Sequence, residues 1–394
     1  MSARTRQGLS RESLLVLLTQ AVDDDLRETW GELRTTLPFY NWVEYHMGWR
    51  ELAATGPAKP GKHLRSLLLV LVAQMFGGGL GRALPLASAV ELLHSATLVF
   101  DDIQDAGPLR RGRPAMWRIS GAAQAINVGA ALQASVHAAA LRAQRGGLPP
   151  EATLDAVAEL VGAMLRLAEG QYLDLRCAEA GNPGIEQYLD TCARKAAALV
   201  GSAAVLGVLA AGRPELTAPA RRLGHHLGMY LQISDDIDGI WGRSEETGKL
   251  ADDLPAKRRT LPVLYAFQRA SLDLGRGGEP GEPDAERRRR VAEEEEAVAG
   301  LRARFFGDEP LRPGDVETCL RLLERCDARA YTVTLARLHA ESTAGALAEL
   351  EATAVTPGAI APLLEQFSRW SAVGALGAPI VPLAAPATAA VAHV

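Results

Sequence analysis

Apolar positions recur at three- and four-residue steps along most of the chain, so the expected elements are helices. Leu14, Leu17, Leu18 and Val22 make a first stripe, and Leu67, Leu68, Leu71 and Val72 begin another after the Pro/Gly stretch GPAKPGK. Ala/Leu/Val-rich segments follow at 85–105, 122–144, 151–178, 185–211, 217–240 and 327–353, each broken at Gly or Pro. No run alternates with the two-residue period of a half-buried strand. Leu- and Ala-rich helices with few aromatics and short loops predict an all-α chain, an antiparallel helical bundle.

Three stretches interrupt the pattern. Residues 34–61 gather Phe39, Tyr40, Trp42, Tyr45 and Trp49, expected to pack as a cap at the end of an N-terminal segment 1–60. Within the main domain, 61–372, a polar insert at about 273–313 sets GRGGEPGEPDAE before Arg287–Arg290 and Glu293–Glu296, which reads as a solvated loop running into a charged helix. The Ala/Pro-rich tail 373–394 is expected to be flexible. GGGLGR at 77–82 lacks nucleotide-loop spacing and follows a helix, so it reads as a connection; no GxSxG, HExxH or P-loop occurs.

Composition narrows the classes. With 394 residues, 48% hydrophobic and 23% charged, the chain is globular and long enough to bury a large core. Lys plus Arg is 42 against 47 Asp plus Glu, so no cationic surplus exists to displace counterions and nucleic acid is not the expected partner. No transmembrane segment is expected, since apolar runs are short, and MSARTRQGLSRES lacks a secretory core, which points to the cytoplasm. Cys177, Cys192, Cys319 and Cys326 form no CxxC pair and are expected as buried, reduced thiols.

The chemistry concentrates in AVELLHSATLVFDDIQD, residues 89–105. On a helix Asp101 and Asp105 lie one turn apart on one face with Asp102 beside them, and such carboxylates repel unless a cation sits between them. All-oxygen donors suit a hard divalent ion, chiefly Mg²⁺. The segment LGMYLQISDDIDGI, 227–240, delivers Asp235, Asp236 and Asp238 in the same way. Two acid clusters could hold several Mg²⁺ ions between them and bind a diphosphate. Basic residues follow each cluster: Arg110, Arg111 and Arg113 after the first, Lys249, Lys257, Arg258 and Arg259 after the second.

At these residues the sequence closely resembles the trans-isoprenyl diphosphate synthases, the polyprenyl synthetase family, and looks geranylgeranyl diphosphate synthase-like. GKHLR (61–65) is similar to the family's GGKRLRP, and ELLHSATLVFDDIQD with RRGRP (110–114) to its first aspartate-rich region. GQYLDL (170–175), Lys195, LQISDDIDG (231–239) and TGKLADDLPAKRRTLP (247–262) resemble the later regions. The resemblance implies an isoprenyl synthase fold around a central cavity, usually homodimeric. It implies a Mg²⁺-dependent reaction that ionises an allylic diphosphate, alkylates isopentenyl diphosphate and loses a proton. It further implies Asp101 and Asp105 as ligands of two Mg²⁺ ions and Asp235 of a third, with Asp102 and Asp236 in support. Arg110, Lys195 and Lys249 are implied as allylic diphosphate contacts, and Lys62, Arg65, His94 and Arg111 as the isopentenyl diphosphate site. Gln171 and Gln232 are expected near the cation or the metals' water.

The chain departs from the family pattern at Gly239, where an Asp is usual, at Ala196 after Lys195, at His63 and Ser66 in the first motif, and by one residue missing between Lys249 and Asp253. Bulk just before the first cluster sets product length in the family; here Ala96 and Thr97 are small, which implies geranylgeranyl diphosphate or a longer product. Two other readings stand beside this one: a class I terpene cyclase on the same fold, and a non-catalytic partner subunit of a synthase.

Overall fold

The computed structural model describes residues 11–52, 61–179, 184–242, 251–273 and 284–370. Lys249, most of GPAKPGK, the GRGGEPGEP stretch and the tail 373–394 lie outside the described residues. Contacts divide the chain into two compact units: residues 1–169, 195–228 and 345–364, and residues 170–194, 229–344 and 365–394.

Among the described residues the chain is helical apart from loops and one two-stranded hairpin. In the first unit, α1 (Arg11–Leu33) packs on α4 (Leu80–Gln104), which also packs on α3 (Leu64–Met75) and α6 (Ala122–Arg142). The buried face of α1 is Leu15, Leu18, Val22, Leu26 and Trp30, whereas Leu17 is 46% exposed. The run Leu14–Leu18 is apolar at every position and offers several registers; Leu26 and Trp30, further along the helix, select the one that forms. Every residue of α9 (Ala198–Ala210) is buried, as its lack of a polar face requires. Gly207 lets α9 press onto α3, because a Cβ there would stand 2.7 Å from the Leu69 carbonyl oxygen and 2.8 Å from Val72 Cβ.

The remaining helices are α2 (Phe39–Met47), α5 (Met116–Ser120), α7 (Pro150–Glu179), α8 (Ile185–Cys192), α10 (Thr217–Trp241), α11 (Leu261–Asp273), α12 (Asp284–Phe306), α13 (Asp315–Arg325), α14 (Ala328–Glu351) and α15 (Ala361–Trp370). In the second unit α11 packs against α8, α12 and α13 around Leu264, Phe267, Leu301, Phe305, Phe306 and Leu322. The charged helix expected in the polar insert is α12. Its first turns are exposed and carry Arg289–Glu293 and Arg290–Glu294 pairs at 3.3 Å, but its last turns bury Leu301, Phe305 and Phe306. The insert therefore ends in core, because Val298, Leu301 and Phe305 keep helical spacing beneath the charge runs.

Helices Leu80–Gln104 and Ile185–Ala210 are long and apolar enough to cross a membrane by composition, yet 72% and 78% of the most apolar 18 residues in each are buried in the protein. All four cysteines carry free thiols, Cys177 half-buried and the others buried.

Packing at Gly207 yields a paired test. Gly207→Ala should cost about 1–3 kcal/mol in urea unfolding through overpacking. Gly345→Ala, on an exposed turn of α14 with nothing within 4 Å of the new Cβ, should gain up to about 1 kcal/mol.

Candidate active site

Helix α4 carries the whole segment ending in the first acid cluster. Asp105 caps its C-terminus, and the Asp105 N–H donates to the Asp101 carbonyl at 2.8 Å, so the two acids stand one turn apart as expected. Asp101 is half-buried and Asp105 exposed, while Asp102 turns inward at 3% exposure. Arg110 Nε lies 3.1 Å from both Asp102 oxygens and its Nη2 donates to Oδ1. Arg110, expected at an allylic diphosphate, is thus tied to a carboxylate in this structure.

The segment Leu109–Pro114 folds as a hairpin with Arg111 and Gly112 at its turn, both at positive φ, 52° and 79°. Two positive φ values are what a two-residue turn of this hand demands, and Gly meets one at no cost. The turn sets Arg110 and Arg113 opposite one another in the ladder. Arg113, grouped from sequence with the ligand-binding cations, has a different role. It is 4% exposed, its guanidinium carbon is 4.1 Å from the Tyr45 ring centroid, and its Nη atoms donate to the Tyr45 and Arg50 carbonyls. Tyr45 Oη donates to the Pro114 carbonyl at 2.9 Å, and His46 Nε2 is 3.0 Å from the Ser95 carbonyl. The aromatic cap on α2 therefore anchors the hairpin. Burial pushes the His46 imidazole down to about 3, so it stays neutral there.

Behind the hairpin, cations from three segments converge. Arg65 Nη1 is 3.3 Å from His94 Nε2, and a Cβ on Gly61 would lie 3.5 Å from both Arg111 Nη2 and His63 Nε2. Lys62 is exposed beside them. Burial and the Arg65 charge hold the His94 ring well below its usual range, hence neutral. Ala96 is buried at 1% and Thr97 Oγ1 donates to the His94 carbonyl at 2.8 Å. The residues at the first-motif departures are both engaged: His63 lies 3.3 Å from Asp23 and 3.3 Å from Glu91, and Ser66 Oγ donates to Glu91 Oε1 at 2.8 Å.

The second cluster ends α10 in the second unit. Asp235 is exposed, whereas Asp236 and Asp238 are buried at 3% and 4%. Asp236 accepts from Tyr188 Oη, from the Leu261 N–H at 2.9 Å and from Gln232 Nε2 at 3.2 Å. Burial outweighs these donors and raises its carboxyl to about 7. Gln171 is buried at 7% on α7. At Gly239, a built Cβ would overlap the Asp253 carboxylate, itself 2% exposed, so an acid from the following loop fills the space of the usual fifth side chain. Two of the cations that follow this cluster in sequence bond to backbone carbonyls of a later segment. Lys257 Nζ donates to the Gly307 and Glu309 carbonyls at 2.6 and 2.8 Å, and Arg259 Nη2 to the Phe306 carbonyl at 3.2 Å. Lys195 and Ala196 sit in a π-helical turn, Ala193–Ala197, between α8 and α9. Such turns realign backbone groups and recur where helices carry function.

Among the described residues no group of three or more His, Cys, Asp or Glu is gathered closely enough to hold a metal by itself. The donor set nonetheless fits hard divalent ions. Asp102 and Asp236 are buried and accept from protein donors, Asp101 is half-buried, and Asp105 and Asp235 are exposed; all five offer the oxygen ligands such an ion takes.

A profile of the family described as polyprenyl synthetase matches residues 49–276. The chain belongs to the polyprenyl synthetase family. It is 38% identical over 239 residues to a geranylgeranyl diphosphate synthase of Mycobacterium tuberculosis, a stretch covering 59% of this chain and 67% of that protein. A polyprenyl synthetase structure from Streptomyces coelicolor A3(2) superposes with TM-score 0.72 at 26% identity, covering 95% of this chain and 100% of that one. A polyprenyl synthase from Caulobacter crescentus CB15, solved with calcium and isoprenyl diphosphate, gives 0.69 at 26% over 93% and 98%. This polyprenyl synthetase is accordingly an all-α enzyme, a transferase of prenyl groups.

Two tests follow from the geometry. His63 is raised from 6.5 to about 10 by Asp23 and Glu91 against the cost of burial, and Glu91 lowered from 4.5 to about 2 by His63. A raised pKa stabilises fully below the unfolded value and less as pH climbs through the folded one; a lowered acid pKa stabilises above its unfolded value. The Tm gap between wild type and His63→Ala should therefore be widest between pH 4.5 and 6.5 and close toward pH 10. Gly239→Ala should cost about 1–3 kcal/mol by colliding with Asp253, and Asp253→Ala should recover part of it in the double variant.

Proposed function

We propose that this enzyme condenses an allylic diphosphate with isopentenyl diphosphate, giving geranylgeranyl diphosphate or a longer trans-polyprenyl diphosphate. The observation that carries the reading is the group formed by Arg65, His94 and Arg111 beside Lys62 on the same helix–turn frame as the first acid cluster. His94 precedes Asp101 by two helical turns, about 10 Å along α4, so one rigid helix spaces two diphosphate-sized sites. A cyclase has no need of the second site, and a non-catalytic subunit has no need of the first.

Lys62, Arg65 and Arg111 bind and orient the homoallylic diphosphate, with neutral His94 as a hydrogen-bond partner that adds no charge. Asp101 and Asp105 would hold two Mg²⁺ ions and Asp235 a third; when bound, these ions neutralise the departing diphosphate. Asp102 and Asp236 orient the outer acids from their buried positions. Lys195 and Lys249 contact the allylic diphosphate, joined by Arg110 if substrate draws it from Asp102. Carbonyls of the Ala193–Ala197 turn, with Gln171 and Gln232, face the allylic cation, and apolar walls keep water from capturing it. Small Ala96 and Thr97 leave the chain room to lengthen. The reaction takes place in the cytoplasm.

We further propose a homodimer. Leu154, Val161 and Leu165 on α7 are 67%, 40% and 62% exposed at steps of seven and four residues, a continuous apolar stripe of the kind a second copy covers.

Mass analysis of products from each allylic primer, with and without isopentenyl diphosphate, tests the activity. Products of 20 carbons or more that require isopentenyl diphosphate support it, and Ala96→Phe should shorten them. A strictly 15-carbon output, product from farnesyl diphosphate alone, or turnover only with an added partner would each overturn a part of the reading. Asp101→Asn and Asp235→Asn should each lower kcat by about 10²-fold or more. Leu165→Glu should shift the molar mass by light scattering from dimer to monomer.

A further inference from the structure

The substitution of His63 in the first motif has a physical consequence. Glu91 is a buried acid, 6% exposed, one turn before His94 on α4, and its field acts on His94 and Arg111. Uncompensated, a buried carboxylate there would draw the cations that an incoming diphosphate needs. His63 lies against it: Nδ1 is 3.3 Å from Glu91 Oε2, and Nε2 is 3.3 Å from Asp23 Oδ1 on α1. His63 also sits at φ 47°, ψ 31°, immediately before α3, and its carbonyl accepts from the Leu67 N–H at 2.9 Å and from Ser66 Oγ at 2.8 Å. The left-handed residue thus stands between Lys62 and Arg65, and its ring lies within ion-pair distance of acids on two other helices.

We propose that His63 is a positioning residue for the isopentenyl diphosphate site: paired with Glu91 and Asp23, it neutralises Glu91 and fixes the turn that presents Lys62 and Arg65. An arginine at this position is charged without help, whereas an imidazole needs acid partners to keep its proton at neutral pH. Asp23 supplies the second acid, and with it α1 becomes a support of the substrate site. The raised pKa of His63 agrees with this pairing. The inference rests on the proposed isopentenyl diphosphate site.

Steady-state kinetics on His63→Ala, His63→Asn, His63→Arg and Asp23→Asn test it, with each substrate varied in turn. His63→Ala should raise KM for isopentenyl diphosphate about tenfold, the scale of one lost charged contact, with KM for the allylic diphosphate within about twofold of wild type. Asn tolerates the left-handed backbone but carries no charge, so His63→Asn should fail to rescue while His63→Arg restores KM. Asp23→Asn, on a separate helix, should move the same KM in the same direction, more strongly at pH 9 than at pH 6, and it guards against a His63 variant that fails to fold. Equal rises in both KM values, or rescue by Asn as good as by Arg, would overturn the proposal and leave only a structural turn. Wild-type enzyme that consumes the allylic substrate without any dependence on isopentenyl diphosphate would instead overturn the reading beneath it.

Discussion

Both acid clusters stand at the C-terminal ends of helices, Asp101–Asp105 closing α4 and Asp235–Asp238 near the end of α10. A helix C-terminus already carries the negative end of the macrodipole, so carboxylates gathered there are uphill twice over. The chain answers in two ways. In each cluster the acid beside the outer one is buried and given protein donors, Arg110 for Asp102, and Tyr188, Gln232 and the Leu261 N–H for Asp236; Asp238 is buried as well. The outer acids are the more exposed, Asp101 half-buried and Asp105 and Asp235 at the surface, and carboxylates so placed suit a hard divalent ion. Positions next to each other in sequence thereby take opposite roles, decided by which way each side chain leaves the helix.

Strain is concentrated at the same motifs. Five non-glycine residues among those described have positive φ: His63, Ala106, Arg111, Lys257 and Asp327. The first four stand in or directly after the GKHLR, DDIQD, RRGR and AKRR segments. Such backbone costs about 1–3 kcal/mol per residue and persists only where surroundings over-determine it. The surroundings can be named: Asp23 and Glu91 at His63, Asp102 and Tyr45 either side of Arg111, and the Gly307 and Glu309 carbonyls at Lys257. Three of these four turns are held by charged side chains; at Ala106 the following Gly107 N–H donates to the Asp102 carbonyl at 2.9 Å.

This explains which features could be read from the sequence. Long helices announce themselves by local period, and α6, α7, α10 and α14 end within a few residues of the expected boundaries. The acid clusters and the cationic segments were legible because each motif is contiguous. Three things were not, and for one reason. Arg113 is structural because Tyr45, sixty-eight residues away, lies under it; His63 is charged because α1 supplies Asp23; the gap at Gly239 is filled from Asp253 in a later loop. Contiguous sequence shows the charge a residue brings, not the partner that claims it. Two errors were local: the register of α1, where the apolar run is too uniform to point to a face, and the end of the polar insert, where charge runs masked the spacing of Val298, Leu301 and Phe305.

Gly239 and His63 therefore illustrate one rule from opposite directions. At Gly239 a side chain is absent from its usual place and the Asp253 carboxylate occupies the space, so an acid still stands at that point. At His63 a permanent cation is replaced by a conditional one, and a second acid makes the condition hold at neutral pH. In both, what the surrounding residues constrain is the sign of charge at a point in space, because unbalanced charge in a half-buried site costs more than a change of side chain. A departure from a family motif weakens the functional reading where that balance is broken; an acid still lies beside Gly239, and His63 lies against both Asp23 and Glu91.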